Sequence, residues 1–219
     1  MTCETQFRWT SASRSHVGLV RDRNEDAYLD QPERRLWAVA DGMGGHALGD
    51  LASRMVIETL NKIPTPNNLV QLLTDTRNWL QTANRQLRVE AAIRGVPIIG
   101  STVVVLLACD RSCGYLWAGD SRIYLYRNGR LKQLTRDHSQ LEEFKSHNNL
   151  NSDGVIHLPP RNMITRAVGA ADMLDIDEKT MKVNDGDVFL LCSDGLSNAV
   201  SEQEMRSELV AGNCQQAAD

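Results

Sequence analysis

Two apolar, strand-like runs in this chain each end in aspartate-glycine. Leu36-Trp37-Ala38-Val39-Ala40 leads into Asp41-Gly42, and Val188-Phe189-Leu190-Leu191-Cys192 leads through Ser193 into Asp194-Gly195. A run this apolar is expected to be buried, so the carboxylate at its end stands where the strand leaves the core. The glycine after it allows a sharp turn and brings a carbonyl close to whatever the carboxylate binds. Asp-Gly is also a common turn pair, and either site alone reads equally well as a turn. Together the two ends can converge on one hard cation that takes oxygen ligands.

Other residues extend that chemistry. Arg21-Asp22-Arg23-Asn24-Glu25-Asp26 is a dense charged cluster directly before Ala27-Tyr28-Leu29. It is either a solvated turn with self-paired charges or a source of further carboxylates, Glu25 and Asp26, for the same cation. In the second case an arginine would bind an anionic substrate in fork geometry. Gly119-Asp120-Ser121-Arg122 interrupts an apolar hairpin, as a bulge or as one more carboxylate facing the cluster. The chain lacks the Gly-x-Ser-x-Gly elbow of a serine hydrolase. Its glycine-rich stretch Asp41-Gly42-Met43-Gly44-Gly45 has neither the lysine of a Walker loop nor the spacing of a dinucleotide fingerprint. His16 and His157 read as surface residues.

These residues need elements to position them. Val17–Leu19, Ala27–Leu29 and Leu36–Ala40 read as strands. Asp50–Lys62 and Asn68–Ala92 read as amphipathic helices, the second with Leu69, Leu72, Leu73, Thr76, Leu80, Ala83, Leu87 and Ala91 at helical spacing and a stop at Gly95 and Pro97. Thr102–Cys109, Tyr115–Ala118, Arg122–Arg127 and Arg130–Leu134 make a strand-dense middle, with Asn128-Gly129 as a type I′ hairpin signal. Hairpins imply antiparallel pairing, against a doubly wound nucleotide-binding sheet. Residues 136–161 are polar, weakly patterned and long for a connection, which suits a flap beside a site. Ser201-Glu202-Gln203-Glu204 reads as a capping box that starts a helix through Met205 and Leu209.

Composition sets the class. At 219 residues and 42% hydrophobic, the chain is long enough to bury one full core, and residues 1–219 read as a single domain. A net charge of −4 argues against nucleic acid or a membrane surface as partner. No apolar stretch approaches the ~18 residues of a spanning helix, and the polar start of the chain is unlike a signal peptide. Five cysteines without a Cys-x-x-Cys pair read as buried thiols in a reducing compartment, so the chain is expected to be cytoplasmic.

Several of these motifs occur together and in one order: Arg21-x-x-Asn24-Glu25-Asp26, Val39-Ala40-Asp41-Gly42-Met43-Gly44-Gly45-His46, Gly100-Ser101-Thr102, Gly119-Asp120-Ser121-Arg122, Leu134-Thr135-Arg136-Asp137-His138-Ser139, Ile164-Thr165-Arg166-Ala167-Val168-Gly169 and Cys192-Ser193-Asp194-Gly195-Leu196. In this the chain resembles the metal-dependent protein phosphatase (PPM) family, and more closely its short bacterial serine/threonine members. The resemblance implies an α+β fold of two stacked antiparallel sheets flanked by helices. It implies that Asp41 bridges two Mn2+ or Mg2+ ions and that Gly42 offers its carbonyl to one of them. Asp194 would serve the other ion, while Glu25 and Asp26 hold coordinated waters. Asp120, with Asp194, would form a third, weaker site, and Arg21 would bind the substrate phosphate. Family members close with an Asp-Asn pair and a final strand that have no counterpart before Asp219. The sheet sandwich is therefore expected to be C-terminally incomplete and the chain a fragment, with Asp219 left unassigned.

The implied reaction is hydrolysis of phosphoserine and phosphothreonine on proteins by a metal-activated water, without a phosphoenzyme. Its partners would be phosphorylated substrates of a cognate kinase in signal transduction, met by a monomer. His46 stands as either a proton donor to the leaving group or a structural residue. The competing reading is a phosphatase-fold module that binds metal or phosphoprotein without turnover.

Overall fold

A computed structural model of the chain describes residues 7–19, 21–43, 47–64, 68–147, 158–160, 163–210 and 213–219. A hairpin of β1 (Asp26–Gln31) and β2 (Leu36–Met43) is followed by α1 (Ala47–Leu60) and α2 (Leu69–Arg94). Next come β3 (Gly100–Ser101), β4 (Val103–Cys109), β5 (Ser112–Ala118), β6 (Arg122–Arg127) and β7 (Arg130–Gln133). The remaining elements are α3 (Gln140–His147), β8 (Asp177–Lys182), β9 (Val188–Cys192), α4 (Asp194–Ala199), α5 (Glu202–Val210) and α6 (Cys214–Ala218). One sheet has the order β1-β2-β4-β5-β8 with β3 attached to β2, and a second has the order β7-β6-β9. Every strand pairing is antiparallel.

The layers follow from alternation. Successive side chains of a strand point to opposite faces, and β4 and β5 are apolar on both. Val103, Val105 and Leu107 of β4, with Leu116 and Ala118 of β5, pack against Val56 and Leu60 of α1 and Leu72, Leu80 and Leu87 of α2. Val104, Leu106 and Ala108, with Cys113, Tyr115 and Trp117, pack against Ile123 of β6 and Phe189 and Leu191 of β9. On the far side of the second sheet, Tyr124 and Cys192 meet Met205 of α5. The result is a helix–sheet–sheet–helix sandwich, the α+β architecture expected from the motifs.

Most local expectations hold. Asn68 caps α2 by accepting from the Gln71 N–H, and Gly95 ends it in the left-handed region at φ 66°. Asn128 and Gly129 both have positive φ (51° and 75°), the requirement of a type I′ turn. Ser201 and Glu204 form the reciprocal capping box.

Three expectations need correction. Val17–Leu19 is not a strand: Gly18 turns at φ 76° and Leu19 is fully exposed, so that short run finds no sheet to pair with. β8 was hidden because Asp177-Glu178-Lys179-Thr180-Met181-Lys182 is a charged edge strand, paired among the described residues only with β5. Inside the expected flap, Gln140–His147 is helical, while residues 148–157 and 161 lie outside the described residues.

Candidate metal centre

Four aspartates from four places in the fold interact at one end of the two sheets. Asp26, the first residue of β1, is the register partner of Asp41 near the end of β2. Like charges directly opposite on one sheet face repel, so this pairing has a cost that the fold itself does not require. Asp194 opens α4 immediately after β9, and Asp120 sits in the turn between β5 and β6. Burial, then Asp26 and Asp194, then Asp120, push the Asp41 carboxyl up to about 8. Burial and Asp194 raise Asp120 to about 6 and also raise Asp26, although a hydrogen bond from Ser193 works against the shift in Asp26. Hydrogen bonding between the Asp41 and Asp194 carboxyls adds to the rise in Asp41, and hydrogen bonding to Asp41 works against the rise in Asp26.

The glycines behave differently from their sequence reading. Neither Gly42 nor Gly195 has positive φ. Gly42 continues β2, and Gly195 lies in the first turn of α4. Gly42 is required by close approach: a side chain there would overlap the backbone of Gly49. A Cβ on Gly49 would in turn lie 2.7 Å from the Glu25 carboxyl carbon and 2.8 Å from the Gly42 carbonyl oxygen. Two bare backbones thus let α1 sit tight on β2, with the Glu25 side chain in the same crevice. Glu25 Oε1 is buried there without a hydrogen-bond partner among the described residues.

Hydroxyls complete the surroundings. Ser193 Oγ donates to Asp26 Oδ2 at 2.8 Å, tying β9 to β1. The Asp41 N–H donates to Thr102 Oγ1 at 3.1 Å, and Ser101 Oγ donates to the Asp41 carbonyl at 3.0 Å. Beside the Asp120 turn, Arg122 forks onto Asp137 with contacts of 2.6–3.1 Å. That pairing commits Arg122 to its neighbour and leaves it little reach for a substrate. Arg21 is exposed in the stretch before β1. Residues 44–46, with His46, lie outside the described residues.

The profile of the Protein phosphatase 2C family matches residues 11–217. This chain belongs to that family. It is 34% identical over 200 residues to protein phosphatase PhpP of Streptococcus pneumoniae, covering 87% of this chain and 80% of the relative. It is 30% identical over 204 residues to serine/threonine phosphatase stp of Listeria monocytogenes, covering 90% and 81%. Among solved structures, PppA, described as a key regulatory component of T6SS in Pseudomonas aeruginosa, superposes with a TM-score of 0.88 at 44% identity, covering 95% of this chain and 86% of that one. The catalytic domain of the serine/threonine phosphatase PstP in complex with two manganese ions superposes with a TM-score of 0.80 at 30% identity, covering 94% and 86%.

In this family member the donor set fits a hard divalent cation. All the converging side-chain donors are carboxylate oxygens, the ligands Mg2+ and Mn2+ prefer. The crowding of acids that raises Asp41 to about 8 and the unpartnered Glu25 oxygen are both features that a nearby cation would relieve. Among the described residues no group of three His, Cys, Asp or Glu side chains is spaced to hold a metal ion.

A pH dependence follows from the raised acids. Asp26, Asp41 and Asp120 hold protons more tightly in the folded chain than at their ordinary value of 3.8. Unfolding therefore releases protons, and stability declines as pH rises from that value toward about 8. Metal-free protein is expected to melt on the order of 5 °C lower at about pH 8 than at about pH 5. Millimolar manganese should flatten or reverse the trend, because it binds the ionised acids. Thermal melts with and without chelator test this, and a metal-free midpoint that is flat or rises with pH would sink it.

The sequence pointed to the four aspartates, Glu25 and Gly42. Gly49 stood outside every motif, and Ser193 and Ser121, though inside motifs, were given no role, because small and hydroxyl residues look like ordinary turn chemistry.

Proposed function

We propose that this chain is a metal-dependent protein phosphatase that hydrolyses phosphoserine and phosphothreonine. The observation that carries this reading is the meeting of Asp26, Asp41, Asp120 and Asp194 from separate elements, with Asp41 pushed up to about 8. Clustered acids are costly unless a cation offsets them, and family membership makes that cation Mn2+ or Mg2+.

Bound divalent ions supply two things: a water of lowered pKa and positive charge against the phosphoryl oxygens. The chain's residues do the rest. Asp41 would hold both ions, in its ionised form. The Gly42 carbonyl and waters held by Glu25 and Asp26 would serve the first ion. Asp194 would serve the second, and with Asp120 a third and weaker one. Ser193 fixes the orientation of the Asp26 carboxylate through its 2.8 Å hydrogen bond. Arg21, exposed just before β1, would bind the substrate phosphate in fork geometry. A monomeric, cytoplasmic enzyme opposing a serine/threonine kinase is the setting this reading suits.

The test is release of phosphate from a phosphothreonine peptide with manganese, with and without a chelator. Chelator-sensitive turnover supports the reading. Manganese binding with no phosphate release would instead leave a module that binds without turnover. In the same assay Arg21→Ala is expected to raise KM roughly tenfold while kcat changes less, since a ground-state phosphate contact is removed. An unchanged KM in that variant, with a raised one in Arg23→Ala, would move the role to Arg23.

A further inference from the structure

The Gly100-Ser101-Thr102 motif has no part in the reaction as described, yet its side chains stand between two of the acids. Thr102 is 4% exposed and Ser121 is 1% exposed. Thr102 Oγ1 accepts from the Asp41 N–H at 3.1 Å and lies 2.7 Å from Ser121 Oγ. The Thr102 N–H also donates to the Asp41 carbonyl at 2.8 Å. On its other side Thr102 supports the turn that carries Asp120. Gly119, at φ 110°, lies against the threonine so closely that a Cβ there would fall 2.6 Å from Thr102 Cγ2. The turn is held from outside by His138, whose N–H donates to the Gly119 carbonyl at 2.9 Å and whose Nδ1 accepts from the Gly119 N–H at 3.2 Å.

One buried side chain therefore touches both the strand end bearing Asp41 and the turn bearing Asp120. We propose that the Thr102–Ser121 hydroxyl pair is a positioning device that sets the separation of Asp41 from Asp120, and through it the affinity of the cation positions they serve. The inference rests on the reading of those two acids as cation ligands. Neither hydroxyl needs to touch a cation. Their role is to keep β2 and the β5–β6 turn at a fixed distance while the acids repel each other.

The experiment is a manganese titration followed by electron paramagnetic resonance of the free ion, beside thermal melts in chelator. Thr102→Val keeps the shape and removes the hydroxyl, and is expected to weaken manganese binding about tenfold or more, the range seen when residues that orient metal ligands are removed. Thr102→Ser, which restores the hydroxyl, should stay within about threefold of wild type. Ser121→Ala breaks the link without touching the Asp41 backbone and should weaken binding about fivefold or more. The double variant should be no weaker than Thr102→Val alone, because both changes remove one shared contact. Lowered melting midpoints with manganese affinity unchanged in Thr102→Val and Ser121→Ala would reduce the pair to a core contact and overturn the proposal. If Thr102→Val does not fold, Ser121→Ala and Thr102→Ser decide the matter by the same criteria. Wild-type protein that binds no manganese would overturn the ligand reading itself, an outcome visible before any variant is compared.

Discussion

Asp41→Asn is expected to give a folded, inactive protein that is more stable than wild type when metal is absent. The asparagine amide has the size of the protonated carboxyl and donates hydrogen bonds, so it can stand in for the protonated Asp41 that burial and the neighbouring acids favour. It also removes the like-charge repulsion that raises Asp41. Asp41 is half-buried, so solvent screening trims the gain to about 1–2 kcal/mol, or roughly 5 °C in melting midpoint for a chain of this size. Turnover should fall at least about a hundredfold, the scale of removing one preorganised charge-stabilising group. The manganese-induced rise in melting midpoint should shrink with it. Retention of a tenth or more of wild-type turnover would show that Asp41 is not the bridge. A metal-free midpoint below wild type would show that Asp41 is not held protonated by its burial and neighbouring acids.

The second large effect separates two glycines that look alike in sequence. Gly42→Ala places a methyl group inside the Gly49 backbone, where no side chain can yield. The end of β2 and the start of α1 must then move apart, at a cost of about 3 kcal/mol or more, or roughly 6–12 °C. Manganese affinity should fall too, since Glu25 shares that crevice. At Gly195 the nearest atom to an added Cβ is Ser193 Oγ at 3.6 Å, and the residue lies exposed in α4. Gly195→Ala should be neutral or stabilising by up to about 1 kcal/mol, as alanine for glycine in a helix usually is. Equal effects in the two variants would contradict the packing described here.

The difference between those glycines shows where sequence reading reaches its limit. Val103–Cys109 and Asn128-Gly129 declared themselves because burial and φ preference are local properties of residue type. Asp41 and Asp194 stood out because a carboxylate at the end of an apolar run conflicts with its surroundings. Gly49 was not legible: its reason for being glycine is a β2 carbonyl that only the tertiary fold brings near. The roles of Ser193 and Ser121 were not legible for the same reason, their partners Asp26 and Thr102 being distant in the chain. β8 was missed because an edge strand exposed to water carries no apolar alternation to detect.

The two-faced burial of β4 has a consequence for how the chain finds its pairing. A slip of one residue turns every side chain of a strand to the opposite face. In β4 that slip would exchange Val103, Val105 and Leu107 for Val104, Leu106 and Ala108, two sets that are both wholly apolar. Hydrophobic patterning therefore does little to forbid the wrong alignment of β4 beside β2. What forbids it is the polar end of the strand, where Ser101 and Thr102 find the Asp41 backbone and Ser121 in one alignment only. A slipped chain would bury those hydroxyls unpaired, at about 1–3 kcal/mol for each stranded group. The groups that hold the acids in place also act as the alignment key of the central sheet, so this corner of the molecule is constrained by assembly as well as by chemistry.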